Sequence, residues 1–319
     1  MFAKKHVHLV IYDRYIRYMV SKRNRLEDVI DYGEILIKDG LIEDGKLVDK
    51  NGFKYQLERV VKQKKWKRAN VSFCVSDGFV SIRHHQVPAG LKEDEVKTFL
   101  LREADDKLRL PFKNPRIDFK TIRKSETSNE LLVIAYPRDL LEQFIKIMEA
   151  ISLHPVVADV SSLSIWRMYE HFESDINPEQ DTLVVQWGKE NLVLAAFEKG
   201  LLVFSRNVTA PTENRMWSWS FEVEELQWSG SDQDLQELID SNLLTIERFI
   251  DFYRYSVRNG EKGIEKTVVA GDFPFQDKAI QLLKEQTDME VKDVKDYFPD
   301  FLPAKYSDLA GLVIRGNSK

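Results

Sequence analysis

Gln186 and Gly188 stand at the end of a short apolar run, Leu183–Trp187, and mark the first place where this chain could do chemistry. A protein that handles nucleotides with this layout would place an aspartate followed by a glycine there, facing the phosphates. Such a carboxylate would hold a metal ion or orient a water molecule. The Gln186 amide keeps the ability to form hydrogen bonds but carries no charge. The sequence therefore predicts a polar turn without the group that metal binding or hydrolysis needs.

The segment Asp181–Val208 around this turn predicts two or three strands. Its second and third apolar runs are Asn191–Phe197 and Leu201–Phe204, and a Glu-Lys-Gly triplet at 198–200 supplies the turn between them. A polar segment precedes it and a long helical pattern follows it. We interpret it as the first hairpin of a second half of the molecule.

Other reactive side chains favour structural roles. His84 and His85 are adjacent on a predicted strand, so they point to opposite faces and cannot hold one metal ion together. Cys74 lies between Phe73 and Val75 and is typical of a small core residue. An acidic cluster is typical of a solvated helix end, and comprises Glu103, Asp105 and Asp106. With no phosphate-binding loop, serine nucleophile motif or Cys-x-x-Cys pair, the sequence predicts no enzyme.

Composition narrows the class of protein. The 319 residues are enough for about two domains, and 43% apolar with 31% charged residues fits an ordinary globular protein. A net charge of −5 gives no reason to expect nucleic-acid binding. No apolar run approaches the roughly 20 residues of a membrane helix, and the first residues do not resemble a signal peptide. A single cysteine suits a reducing compartment, so we expect a cytoplasmic protein.

The first part of the chain predicts strands at His6–Ile11, Ile16–Ser21 and Val29–Ile37, then a helix that begins at Asn51. That helix ends in a basic segment, Arg59–Arg68. A solvated helix end is the simpler interpretation, and contact with anionic lipid or an acidic partner is the alternative.

Residues 81–157 predict a compact α+β insert. A strand over Phe79–Val87 precedes a helix whose apolar stripe runs from Val96 to Leu108 and which ends at Leu110-Pro111-Phe112. A hairpin and a second helix follow. Further on, Met216–Glu225 alternates aromatic and polar residues and predicts one half-buried strand, while Asp232–Val257 predicts the longest helix.

Six segments, in this order along almost the whole chain, resemble the PilM family, the actin-like, FtsA-related cytoplasmic component of type IV pilus assembly. They are Gly40–Asp49, Ile82–Pro88, Glu95–Phe112, Val156–Met168, Glu198–Arg206 and Ala310–Gly316. The resemblance implies a two-lobed α/β fold of the actin-like, ribonuclease-H-like type with an inserted subdomain and a reduced helical subdomain in the second lobe. The implied division is 1–80, 158–180 and 300–319 for the first lobe, 81–157 for the insert and 181–299 for the second lobe.

The resemblance also identifies positions that should form a nucleotide site. Asp13, Gln186, Gly188 and Gly271 occupy the family's phosphate and adenosine loops. In the first loop Tyr12 stands where a glycine lets the backbone approach phosphate, so its side chain should fill that space. We therefore expect neither ATP nor Mg²⁺ as a cofactor and no metal site, with a working actin-like ATPase as the alternative.

The partner implied by the resemblance is a PilN-like inner-membrane protein, whose N-terminal cytoplasmic tail would lie in a groove between the first lobe and the insert. Such a tail would use strand-type backbone pairing and apolar pockets. The candidate groove residues are Arg83, Arg102, Leu110, Pro111 and Phe112. We expect a scaffold at the inner face of the cell membrane, in contact with other pilus assembly proteins and without a membrane segment of its own. A peripheral anchor built on the basic segment Arg59–Arg68 is a third hypothesis.

Overall fold

The computed structural model describes residues 5–209 and 216–315. In chain order the strands are β1 (His6–Ile11), β2 (Tyr15–Ser21), β3 (Val29–Leu36), β4 (Ile42–Glu43), β5 (Lys46–Leu47), β6 (Asn70–Val75), β7 (Ser81–Pro88), β8 (Pro115–Lys124), β9 (Ser128–Pro137), β10 (His154–Val160), β11 (Thr182–Trp187), β12 (Asn191–Glu198), β13 (Leu201–Thr209), β14 (Trp217–Ser220), β15 (Glu225–Trp228), β16 (Lys266–Gly271) and β17 (Glu290–Asp293). The helices are α1 (Lys50–Gln63), α2 (Glu93–Arg102), α3 (Arg138–Ala150), α4 (Ser161–Phe172), α5 (Asp232–Phe252), α6 (Gln276–Gln286) and α7 (Ser307–Arg315).

Two five-stranded sheets with the same topology form the framework. The first has the order β10-β6-β1-β2-β3 and the second the order β13-β12-β11-β16-β17. In each, three consecutive strands pair antiparallel, and the first of them then pairs parallel with a strand from later in the chain. This repeated arrangement confirms the predicted two-lobed actin-like fold.

The inner strands are buried on both faces, which explains their continuous apolar sequences. Every residue of β1, β2 and β11 is buried. Such strands need helices on both sides of the sheet. In the first lobe α1 supplies one of them: Asp49 caps its first turn by accepting a hydrogen bond from the Gly52 backbone, and its buried stripe is Phe53, Leu57 and Val61.

Helices α4 and α7 pack closely together between the lobes. A side chain on Gly311 of α7 would place its Cβ only 1.8 Å from the Ser164 backbone oxygen of α4. The Ser164 hydroxyl donates a hydrogen bond to the backbone oxygen of Asp308. Glycine at position 311 therefore allows α7 to hold Asp308 and its neighbours against the first sheet.

The insert has its own three-stranded antiparallel sheet, in the order β7-β9-β8. Its separate apolar cluster draws its buried members from residues 87–135, including Leu100 of α2 and Val133 of β9. Helix α3 lies within the expected bounds of the insert, 81–157, but its Phe144 and Met148 belong to the core of the first lobe. We propose on this packing that the insert as a folding unit ends with β9.

Two sequence predictions are wrong in their bounds. The predicted single strand Met216–Glu225 is the hairpin β14–β15, and Phe221 in its turn is 83% exposed. The predicted helix over Val96–Leu108 ends at Arg102, turns follow it, and Arg109 adopts a left-handed backbone with φ 48°. Asp232–Val257 is the longest helix as predicted, and its last five residues form a π turn. In the part of the chain that the structure describes, no helix has both the length and the apolar character to cross a membrane.

Candidate functional site

A row of side chains crosses the first sheet on the face toward α7. The strand register places Asp159, Cys74, Val10, Arg17 and Glu34 next to one another on five successive strands. Charged residues at or near α7 meet this row at three places. Arg315 pairs with Asp159 at 2.5 Å, Asp308 with Arg17, and Lys305 with Glu34 at 3.2 Å. Ion pairs as well as apolar contacts therefore hold α7 and the segment before it against this face of the first sheet.

Arg17 is the one positively charged member of this row, and its side chain is 0% exposed. Its guanidinium donates hydrogen bonds to the Asp308 carboxylate, the Tyr12 hydroxyl and the Lys305 backbone oxygen. It also lies 3.8 Å from the carboxylate of Asp272 in the second lobe. Although burial opposes the charged form, the nearby Asp308 carboxylate raises the pKa of Arg17 well above its ordinary value. The lobes thus meet around a permanent positive charge supplied by the protein.

Tyr12 fills the space next to Arg17. Its hydroxyl donates to Asp308 Oδ2 at 3.1 Å and accepts from Gln186 Nε2 at 3.0 Å. Its ring stacks on Tyr15, with centroids 4.6 Å apart. Burial raises the pKa of the Tyr12 hydroxyl well above its ordinary value. The position where a phosphate-binding loop would use a small residue is occupied by a fixed aromatic ring.

Gln186 lies at the join between the lobes and is held from both sides. Besides its bond to Tyr12, its Oε1 accepts a hydrogen bond of 2.5 Å from Ser161 Oγ. Asp77 in turn accepts bonds from the backbone N–H groups of Ser161 and Ser162 and from the Ser162 hydroxyl, at the start of α4. Burial raises the pKa of Asp77, and these bonds oppose that effect. Both ends of the Gln186 amide are satisfied within the protein, so the amide has a structural role.

Gly188 and Gly271 belong to backbone contacts between neighbouring segments. The Gly188 N–H donates to the Asn191 backbone oxygen at 2.9 Å, which closes the β11–β12 turn. Gly271 has φ +129°, and a Cβ there would lie 2.0 Å from the Trp187 backbone oxygen. The same oxygen accepts a bond of 3.1 Å from the Phe273 N–H. Glycine at 271 is thus required by the close approach of Trp187.

Asp13 is turned toward the β4–β5 hairpin of its own lobe. Its carboxylate accepts bonds from the backbone N–H groups of Asp44, at 2.7 Å, and Gly45, at 2.9 Å. Burial raises its pKa, and the two backbone bonds oppose that effect. Asp13 also lines an open cleft of about 720 Å³ outside the Arg17 cluster. Of the four sequence-predicted nucleotide residues, only Asp13 lines this cleft.

Tyr15 and Asp272 extend the closed region toward the second lobe. Tyr15 Oη donates to Asp272 Oδ2 at 2.6 Å, and the Lys189 N–H donates to Asp272 Oδ1 at 3.1 Å. Burial favours the neutral acid, but Arg17 and Lys189 hold the pKa of Asp272 below its ordinary value. Lys189 and Lys305 then share two carboxylates, Glu34 and Glu225. The lobes are therefore held together by a continuous polar network.

The candidate groove residues of the insert are partly brought together. Arg83 of β7 donates from Nε to the Leu108 backbone oxygen at 3.1 Å, which places the segment after α2 beside this strand. Leu110 and Phe112 are half-buried against the insert's apolar cluster, and Pro111 between them is exposed. Arg102 is exposed and lies over the Phe99 ring, with its guanidinium carbon 5.2 Å from the ring centroid. The result is a partly apolar surface with arginines at two places beside it.

Sequence reasoning missed the residues that close the space between the lobes, chiefly Arg17, Asp272 and Asp308. Arg17 gave a usable signal, since an arginine within the apolar strand Tyr15–Ser21 must find a buried anion. Asp308 gave none, because it is separated from Arg17 by 291 positions. Glu190, within the β11–β12 turn, was also missed.

A family model described as "Type IV pilus assembly protein PilM" matches residues 18–306. Among solved structures, the "PilM-PilN type IV pilus biogenesis complex" matches with a TM-score of 0.73 at 14% identity, over 98% of this chain and 99% of that chain. The ethanolamine utilization protein EutJ from Carboxydothermus hydrogenoformans matches with a TM-score of 0.52 at 11% identity, over 97% and 89%. The two structures share the fold. Because the family model spans nearly the whole sequence, the chain belongs to the PilM family of type IV pilus assembly proteins.

Proposed function

We propose that this chain is a cytoplasmic scaffold of type IV pilus assembly that binds the N-terminal tail of a PilN-like inner-membrane protein and does not hydrolyse ATP. Membership of the PilM family supports the pilus assembly role. The similar solved structure is a complex of PilM with PilN, which supports a PilN-like partner. Binding such a protein places the scaffold at the inner face of the cell membrane.

The absence of ATP hydrolysis is supported chiefly by one observation, the position of Arg17. Its guanidinium lies between Asp308 and Asp272 and neutralises both carboxylates, so neither is available to a metal ion. Tyr12 occupies the adjoining space, and Gln186 supplies an amide where a nucleotide site would place an aspartate. A γ-phosphate and its Mg²⁺ would have to displace all three side chains and break their hydrogen bonds.

The surface beside β7 supports the tail-binding part of the proposal. Strand β7 pairs within the insert sheet only with β9, so it is an edge strand of that sheet. Leu110 and Phe112 leave part of their apolar surface exposed near Arg83. An extended tail binds such a surface by adding backbone hydrogen bonds at the edge and by placing apolar side chains against the exposed ones. Arg83 and Arg102 would bind carboxylates of the tail.

The test is a calorimetric titration of the intact protein with a synthetic peptide spanning the cytoplasmic tail of the PilN-like protein. Arg83→Glu and Arg102→Glu should each lower the affinity at least about tenfold, since a charge-assisted bond is lost and a repulsive charge is added. Lys124→Glu is the matched control, because Lys124 is exposed at the far end of the β8–β9 hairpin. It should bind like the wild type.

Thermal unfolding of each variant separates binding from folding, which matters because Arg83 also bonds to the Leu108 backbone. Arg102 has no such backbone bond among the described residues, so Arg102→Glu remains informative if Arg83→Glu is unstable. Failure of the wild-type protein to bind the peptide would overturn the tail-binding proposal. If both folded arginine variants bind the peptide as tightly as the wild type, this surface is not the binding site of the tail.

A further inference from the structure

The basic segment Arg59–Arg68, which has no part in the proposed tail binding, leads to one end of the first sheet. At this end β1, β3, β6 and β10 begin and β2 ends, since His6 pairs with Ser21 and with Asn70, and Asn70 pairs with His154. The open cleft and the start of the insert lie at the opposite end, where β1 and β6 finish. The two ends of this sheet can therefore contact different partners.

Cations from three separate segments meet at this end of the sheet. They precede β1, follow β2 and follow α1, and together they define the basic end: Lys5, Lys22, Arg23, Lys65, Lys67 and Arg68. All six residues are exposed, and in the part of the chain that the structure describes none has a carboxylate within ion-pair distance. The neighbouring Arg25, Lys62 and Lys64 are paired with carboxylates. Asp28 and Glu149 offset only part of the remaining charge, so the basic end carries a surplus of positive charge.

The turn after α1 that carries three of these cations is held in place by the core. Trp66 in the middle of this turn is 1% exposed, and its ring packs against that of Tyr18 with centroids 5.1 Å apart. The lysines on either side of Trp66 are exposed. The Arg68 backbone N–H donates to the Ser152 backbone oxygen at 2.7 Å, which joins this turn to the segment before β10. Because the backbone is already ordered, a ligand of these cations does not have to order it.

The dipole of α1 explains only part of this cluster. Cations in the last turn of a helix are stabilised by its free carbonyl groups, and Lys62 is in that position. The effect falls off within one turn, so it does not account for Lys67 and Arg68 beyond the helix or for the cations next to β1 and β2. Lys65 and Arg68 also adopt left-handed backbones, with φ 59° and 63°, where glycine or asparagine is favoured. The stability of the fold alone therefore gives no reason for cations at these positions.

We propose that the basic end binds the anionic lipid headgroups of the membrane surface. Exposed lysines and arginines from several segments at one end of a domain suit an extended layer of phosphate groups. The choice of lipid over a nucleic acid or an acidic protein rests on the proposed function, which places the chain at the inner face of the cell membrane. With a net charge of −5, the rest of the protein is repelled by such a surface, so the basic end is the part that faces it. Binding there leaves the insert free for the tail.

The expected association is reversible and depends on salt. A lysine or arginine close to an anionic membrane strengthens binding by about fivefold, and the attraction is screened beyond about 10 Å at about 0.1 M salt. A protein that is already held near the membrane by the tail of its partner needs no stronger contact, because the tail raises the local concentration of the basic end at the surface. The two contacts therefore support each other without sharing residues.

The test is co-sedimentation of the full chain with lipid vesicles, in the absence of the PilN-like protein. One set of vesicles contains phosphatidylcholine alone, and the other is an equimolar mixture of phosphatidylcholine and phosphatidylglycerol. We expect the protein to sediment with the anionic vesicles at about 0.1 M salt and to be released at about 0.5 M salt. The double variant Arg23→Glu, Lys67→Glu should partition onto these vesicles at least about twentyfold more weakly, because two cationic contributions are lost.

The matched control is the double variant Lys124→Glu, Arg248→Glu, which changes the net charge by the same amount at exposed positions of the β8–β9 hairpin and of α5. It should bind the anionic vesicles like the wild type. Equal loss in both double variants would overturn the proposal, since it would indicate a dependence on net charge alone. Equal sedimentation of the wild type with the two kinds of vesicle would overturn it as well. Melting curves verify that the variants are folded.

Duplex DNA and polyglutamate test the other classes of anionic partner. Added as competitors at equal concentrations of negative charge, neither should release the wild-type protein from the anionic vesicles. Release by either one would overturn the lipid proposal in favour of that class of partner. Because no PilN-like protein is present, a failure of vesicle binding leaves the tail-binding proposal untouched, and a failure of the peptide titration leaves the vesicle result valid.

Discussion

Tyr15 of the first lobe donates a hydrogen bond of 2.6 Å to Asp272 of the second lobe, and both side chains are buried. Arg17, two residues further along the same strand, lies 3.8 Å from the same carboxylate. In an actin-like fold these positions flank the space between the lobes. Here they join the lobes directly. The contact between the two halves is therefore part of the folded core.

Replacing Arg17 with methionine should destabilise the protein by about 3–5 kcal/mol, because Asp308 and Asp272 are left buried without their cation. Without Arg17 the pKa of Asp308, already raised by burial, rises further. The folded variant then takes up a proton that the unfolded chain does not bind at mildly acidic pH. The variant therefore loses stability as the pH rises. The difference in free energy of unfolding between the variant and the wild type should be smaller at pH 5 than at pH 8.

Urea unfolding at the two pH values measures this difference. Arg25→Met is the matched control, since Arg25 is largely exposed and pairs only with Glu27 among its described neighbours, at 3.5 Å. It should change stability by less than about 1 kcal/mol. A cost for Arg17→Met as small as that of the control would show that the buried pair does not stabilise the lobe contact.

The sequence was informative about the framework because strands and turns leave local signals. Both opening hairpins, the start of α1 and the position of α5 follow from apolar runs and turn residues within a few positions. The filling of the first loop by Tyr12 was predicted through the family resemblance, which implies a glycine at this position, since a large ring in its place must occupy space.

Other features could not be predicted because they depend on distant contacts or on backbone geometry. The partners of Arg17 come from the last helix and the loop after β16, which no spacing along the chain connects. The alternation of Trp217, Trp219, Phe221 and Val223 suggested one strand. The chain turns at Phe221, and Glu224 adopts a left-handed backbone with φ 54°. A large aromatic residue such as Phe221 is not a turn signal, so the sequence did not predict the turn.

Mg-ATP should produce no increase in melting temperature. A site saturated at 100 times its dissociation constant would stabilise the fold by about 2.7 kcal/mol, which thermal unfolding detects easily. Gln186→Asp should not restore binding, because Tyr12 remains in the first loop and Arg17 remains between the carboxylates. It should instead destabilise the protein by roughly 1–3 kcal/mol, since a buried charge near Asp77 replaces an amide with satisfied bonds. A clear Mg-ATP-dependent rise in either protein contradicts the prediction.

Glu190 should make the wild-type protein lose stability as the pH rises. Its folded pKa of about 8 is raised above the ordinary value of 4.5 by burial and by Asp13. The stability from its bound proton is therefore fully present below about pH 4.5 and is lost as the pH approaches 8. Glu190→Gln cannot ionise, so its stability relative to wild type should increase over this window by a few kcal/mol.

Chemical denaturation from pH 5 to pH 9 tests this dependence on Glu190. Glu126→Gln serves as the control, because Glu126 is an exposed carboxylate in the β8–β9 turn of the insert, and it should follow the wild-type curve. Parallel curves for wild type and Glu190→Gln would mean that Glu190 is ionised in the folded protein throughout this range.

Phe112→Ala should weaken binding of the PilN-like tail by about tenfold, because its half-buried ring leaves apolar surface open to the tail in the proposed groove. The cost in stability should be about 1–2 kcal/mol, since the ring is only half-buried against the insert's cluster. Phe119→Ala is a matched control: Phe119 has the same intermediate burial and packs on the same cluster, but it lies on β8, across β9 from Arg83. Both variants should lose similar stability, and only Phe112→Ala should lose affinity in the peptide titration. If both lose affinity equally, the tail depends on the fold of the insert as a whole, and Phe112 does not contact it.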